Sequence, residues 1–254
     1  MSTALTTERI SGASPRSKAR MAGGLWLLYV SMAALAGFAR RGLIVSGEAA
    51  ATATNILAHE SLFRLGFAAD ILAIACYLAV TALLYDLFKP VNRTVSLLAA
   101  FFSLVGCTIQ AFACLFELAP LVVLGGTPHS SVFKVEELQA LAYMFLKLYS
   151  QAYSIALVFF GFFSLLIGYL IFKSTFLPRM LGVLMAVAGM AGLMFLSPSF
   201  GAKYLPYIVA ADIGEILLVL WLLVMGVNEQ RWNDRASAAE EWRAQRAIEG
   251  LPTH

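Results

Sequence analysis

Five ionisable side chains stand inside long apolar runs of this sequence: Asp70, Glu117, Lys147, Asp212 and Glu215. Arg64 sits at the mouth of the second run. A charge at the centre of a bilayer costs about 2.5–3.5 kcal/mol on insertion scales, so each needs a partner or a water-filled cavity. Side chains of this kind hold ions, protons or charged ligands, or they pair with one another and fix helix packing. Taking the second span to enter near Leu62, Asp70 lies eight residues in, which is about 12 Å along a helix. With the sixth span starting near Tyr207, Glu215 reaches the same depth. The two acids are therefore expected to face each other, with Lys147 and Arg64 as counter-charges.

Neutral polar residues fall in step with these charges. Gly66, Asp70, Tyr77, Thr81 and Tyr85 follow steps of four and seven in the second run, and Ser103, Gln110 and Glu117 repeat every seven in the third. Gln139, Tyr143, Lys147, Gln151 and Ser154 do the same in the fourth. Such spacing puts them on one helix face, which should turn inward in a membrane. The expected pocket is lined by Asp70, Glu215, Lys147, Arg64, Glu117, Asp212, Gln110 and Tyr77, and it opens outward. The competing reading is a set of static ion pairs.

These residues need spans to carry them. The chain is 60% hydrophobic and 13% charged, against about 25% charged in soluble domains. Apolar segments fall at about 22–39, 62–88, 95–119, 138–172, 180–197 and 205–227. Each is long enough for a bilayer, which takes about 20 residues. The fourth is expected to cross over about 152–172, preceded by an amphipathic stretch from Glu136 to Ser150 at the outer interface. No segment alternates like a membrane strand, so the fold class is an all-α bundle of six transmembrane helices. Small residues, Gly23, Ala33 and Gly37 in the first span and Gly182, Ala186, Gly189 and Gly192 in the fifth, favour close helix packing.

Orientation follows from the loops. Twelve Lys and Arg fall in the two tails and in the second and fourth loops, whereas only Arg40, Arg41, Lys134 and Lys203 fall on the other side. The positive-inside rule then places both termini in the cytoplasm. The organisation expected is a tail over 1–20, a membrane domain over 21–228 and a second tail over 229–254. A basic start, an apolar core and Ala34-Leu35-Ala36 also resemble a secretory signal, but the run continues through Ala39, so an uncleaved first span is expected. In the C-terminal tail Trp232, Ala236, Ala239 and Trp242 lie near helical spacing. A helix on the inner membrane surface and a solvated tail both fit that pattern.

Enzyme signatures are missing. His59-Glu60 lacks the second histidine of H-E-x-x-H, and there is no G-x-S-x-G elbow. His59, His129 and His254 all fall outside the spans, and Cys76, Cys107 and Cys114 form no C-x-x-C. No cofactor and no metal are expected. The basic residues form no nucleic-acid face, so the expected partners are membrane lipid and a small-molecule or ion ligand.

Several runs resemble the bacterial domain-of-unknown-function 4386 family. They are Ala19-Arg20-Met21-Ala22-Gly23, Leu62-Phe63-Arg64-Leu65-Gly66 with Ala69-Asp70, and Phe159-Phe160-Gly161 through Gly168-Tyr169-Leu170. Leu177-Pro178-Arg179-Met180-Leu181-Gly182 and Gly214-Glu215 before Trp221-Leu222-Leu223 complete the set. The resemblance covers about residues 19–228. It implies a six-helix prokaryotic membrane protein and brings no catalytic residues with it.

Overall fold

A computed structural model describes residues 14–125 and 133–249. Its helices are α1 (Pro15–Arg40), α2 (Ala49–Ala58), α3 (Glu60–Phe88), α4 (Arg93–Leu124), α5 (Val135–Lys173), α6 (Arg179–Leu193), α7 (Pro198–Lys203), α8 (Leu205–Ala211), α9 (Ile213–Val224) and α10 (Glu229–Ile248). Among the described residues there is no strand. Six helical segments are long and apolar enough to cross a membrane: α1, α3, α4, α5, Arg179–Leu196 and Leu205–Val224. The fifth of these is α6 extended by a 3₁₀ turn, Met194–Leu196, and the sixth is α8 and α9 joined at Asp212.

Local chemistry sets the helix starts. The Ser14 hydroxyl accepts from the Ser17 N–H at 3.2 Å, and Pro15 follows where its missing N–H costs nothing. Asn92 caps α4 and Asn228 caps α10 in the same way, each accepting at 3.0 Å from the residue three ahead. Helix α1 thus begins at Pro15, inside the stretch expected to be tail.

The six spans close a ring. Helix α1 packs on α3, α3 on α4, α4 on α5, α5 on α6, α6 on α9, and α9 back on α1. Glycines set two of these seams. A Cβ on Gly23 would meet the Leu223 backbone nitrogen at 2.5 Å, and one on Gly182 would meet the Gly168 carbonyl oxygen at 2.7 Å. Backbones this close gain dispersion contacts, which is what holds helices together where lipid removes the hydrophobic drive. Gly37, by contrast, faces open space.

Aromatic rings fill the middle. Trp26, Tyr77 and Phe163 are buried, with centroids 5.9 Å apart for Trp26–Tyr77 and 5.8 Å for Tyr77–Phe163. At one end of the ring the start of α1, the end of α3, the α5–α6 connection and the end of α9 come together. Lys18 pairs with Asp86 there, Arg20 donates to the Val224 carbonyl at 2.9 Å, and Arg231 donates to the Thr175 carbonyl at 3.2 Å. This is the Lys- and Arg-rich end. Gly226, at φ +67, lets the chain turn from α9 into α10, whose Trp232 indole donates to the Leu87 carbonyl at 2.9 Å. The tail is therefore a helix docked through its first turn.

Helix α5 differs from expectation. It is one helix of 39 residues, about 58 Å long, with no break between an interfacial stretch and a span. The Glu137 carboxylate accepts from the Lys134 N–H at 3.0 Å, securing its start. Neither Gly nor Pro interrupts it before Gly161. A helix this long exceeds the roughly 30 Å hydrocarbon layer, so its first turns share no lipid-facing constraint with the rest.

Candidate functional site

The charges that meet inside the ring centre on Arg40, a residue the sequence places in a loop. Arg40 is the last residue of α1. Its Nη1 donates to Asp70 Oδ2 on α3 at 2.5 Å and to Glu117 Oε1 on α4 at 2.7 Å. From α5 the Tyr149 hydroxyl donates to the same Asp70 Oδ2 at 3.0 Å, and its ring lies 5.3 Å from the guanidinium carbon. Four spans thus supply one cluster. The side chains of Arg40, Asp70 and Glu117 are 16%, 5% and 0% exposed. Glu117 Oε2 is buried with no hydrogen-bond partner.

An apolar plug covers the cluster. Leu43, Ile56, Phe63, Leu121 and Leu146 pack together. Phe63 stands two turns beyond Asp70, Leu121 one turn beyond Glu117, and Leu146 about one turn beyond Tyr149, all toward the end away from the basic residues. Ile56 comes from α2, a ten-residue helix too short to span. The loop before it is held to α5, since the Tyr143 hydroxyl accepts from the Gly47 N–H at 2.8 Å. Low dielectric on this side strengthens the charge pairs below it and raises the cost of any charge left over.

The expected counter-charges stand elsewhere. Arg64 pairs with Glu60 one turn away on the same helix, and both are exposed. Lys147 is exposed and lies over the Tyr143 ring at 5.2 Å. The inward face of this part of α5 carries Ala142, Leu146 and Tyr149 instead of the polar stripe through Lys147 and Gln151.

Asp70 and Glu215 do not meet as expected either. Glu215 Oε1 accepts from the Trp26 indole at 2.7 Å. Trp26 and Arg40, which hold the two acids, are fourteen residues apart on α1, or about 21 Å along its axis. Glu215 therefore belongs to the middle of the ring and Asp70 to its far end. Asp212 is exposed at the joint of α8 and α9. Tyr77 is buried among Trp26, Tyr29, Phe160 and Phe163, and Gln110 is buried in α4 one heptad from Glu117. Below them the hydroxyls of Thr81 and Ser103 lie 2.6 Å apart. Buried polar groups thus run from the Arg40 cluster down the inside of α3 and α4.

Arg40 and Tyr149 were missed because each closes or precedes an apolar run. A signal for Arg40 exists: it lies four residues after Ala36, which is fully buried against α3, so extending the helix by one turn would have turned it inward.

Nothing among the described residues gathers three or more His, Cys, Asp or Glu around one point. His59 is exposed, and His129 and His254 lie outside the described residues. The three cysteines are free thiols. Two hollows of about 400 and 420 Å³ open at the basic end, lined by Arg16, Arg20 and Met21 and by Arg16, Phe176 and Trp221. None of the expected site residues lines either.

No solved structure matches this chain. Over 147 residues it is 26% identical to an uncharacterized protein of Archaeoglobus fulgidus, covering 58% of this chain and 75% of that one. Residues 21–226, from inside α1 to two residues past α9, match the family described as Domain of unknown function (DUF4386). The match takes in nearly the whole six-helix ring with Arg40, Asp70, Glu117 and Tyr149, and the chain belongs to that family.

Proposed function

We propose that this is a small permease-like, ligand-binding protein of the bacterial cell membrane, with its binding centre at the Arg40–Asp70–Glu117–Tyr149 cluster. The basic end faces the cytoplasm by the positive-inside rule, so the plugged cluster lies in the outward half. The observation that carries the reading is the unsatisfied Glu117 carboxylate inside a buried cluster of two acids and one base. A lock that only fixed packing would gain from satisfying every buried acceptor. The plug rests partly on α2, which no membrane requirement holds in place, so it is the natural moving part.

One observation favours the static alternative: Arg40 contacts both carboxylates directly, at 2.5 and 2.7 Å. Thiol labelling of intact cells separates the two. In a background lacking Cys76, Cys107 and Cys114, an impermeant reagent should label Ser46→Cys quickly and Ile56→Cys slowly but fully, as the plug opens. Lys89→Cys should stay unlabelled. An Ile56→Cys that never reacts, beside a reactive Ser46→Cys, makes the cluster a lock. Labelled Lys89→Cys reverses the orientation.

A further inference from the structure

We propose that the Arg40 cluster carries one exchangeable proton, held on Glu117. Arg40 supplies one positive charge, while Asp70 and Glu117 supply two negative ones when both are ionised. The groups that face Glu117 leave this sum unchanged: Arg40 from α1, Asp70 from α3, Tyr149 from α5, and Cys114 on α4 itself. Helix α2 has no titratable residue. One negative charge is therefore in excess, beneath an apolar plug. An unpaired ion in such a place costs far more than a neutral acid with an unmade hydrogen bond.

Hydrogen bonding selects which carboxylate takes the proton. Asp70 Oδ2 already accepts two hydrogen bonds, one from Arg40 and one from Tyr149. Glu117 accepts only from Arg40, through Oε1, and leaves Oε2 free. Adding a proton from water at Oε2 brings the cluster from one net negative charge to none, breaks no existing contact and needs no other reactant. A metal cation would need several oxygen ligands at once. Here the Arg40 guanidinium already contacts both carboxylates. This inference goes beyond the permease reading and holds whether or not the cluster meets a ligand.

Infrared spectroscopy of the purified full-length protein at neutral pH tests it. The wild type should show a protonated carboxyl stretch that shifts when glutamate, and not aspartate, is labelled with carbon-13. Glu117→Gln should lose one carboxyl equivalent of that band. Asp70→Asn should lose it too, because one base then balances one acid and Glu117 ionises. Glu215→Gln controls for the half-buried glutamate beside Trp26 and should leave the Glu117 band in place. A Glu117→Gln protein that keeps the full band while Glu215→Gln loses it, or a band that shifts only with labelled aspartate, overturns the proposal. So does a wild type with no such band, and a sodium-dependent rise in melting temperature abolished by Glu117→Gln would then assign the charge to a cation. The isotope comparison uses unaltered protein, so a poorly folding variant does not spoil the test.

Discussion

Helices α1 and α3 are pinned together at both ends by charge, and the two pins are opposites. At the basic end one acid, Asp86, sits between Lys18 and Lys89, with side chains 28%, 30% and 45% exposed. At the far end one base, Arg40, sits between Asp70 and Glu117, 16%, 5% and 0% exposed. The first carries an excess positive charge that water and salt can screen. The second carries an excess negative charge, when both acids are ionised, on side chains far less open to either. Similar geometry thus has different consequences. Exposed pairs contribute about 0–1 kcal/mol, whereas breaking a buried pair costs about 3–5 kcal/mol.

The largest effect expected is at Arg40. Arg40→Met leaves two carboxylates facing each other under the plug and should lower the unfolding free energy in detergent by about 3–5 kcal/mol. A loss below 1 kcal/mol would put the two ends of the helix pair on the same footing. Tyr149→Phe comes next. It removes one hydrogen bond to an ionised acceptor and leaves Arg40 in place, so denaturant titration should read a loss of about 1.5–3 kcal/mol. The smallest is Lys18→Ala, expected to cost under about 1 kcal/mol and to cost less still at high salt. If Lys18→Ala matched Arg40→Met, burial would not be what distinguishes the pins.

Much of this was legible in the sequence, and its limits have physical causes. Spans follow from hydropathy because lipid imposes one requirement on every residue in turn, and all six apolar segments fall in helical segments long and apolar enough to cross a membrane. Asp70 and Glu117 stood out for the same reason, as acids where none should be tolerated. Their partner did not. Arg40 ends its helix beside Arg41, which is exposed, and two adjacent arginines after an apolar run read as a loop. Tyr149 was hidden by the assumption that a polar stripe turns inward along all of α5. In the structure Lys147 and Gln151 of that stripe are exposed, and Ala142 and Leu146 are buried in their place. The equal-depth argument for Asp70 and Glu215 failed differently: depth within a span does not say which neighbour a side chain meets, and Trp26 took Glu215.

The central claim is that Arg40, Asp70 and Glu117 act as one electrostatic unit. Its most direct test is to neutralise all three at once. Denaturant titration in detergent should be run on wild type, Arg40→Met and the triple variant Arg40→Met/Asp70→Asn/Glu117→Gln. Removing the base alone strands two buried acids, and removing the acids with it takes away the stranded charge. The triple variant should therefore recover most of the roughly 3–5 kcal/mol lost in Arg40→Met. A triple variant no more stable than Arg40→Met would mean the three residues contribute separately, and the account of a single buried charge cluster would be wrong.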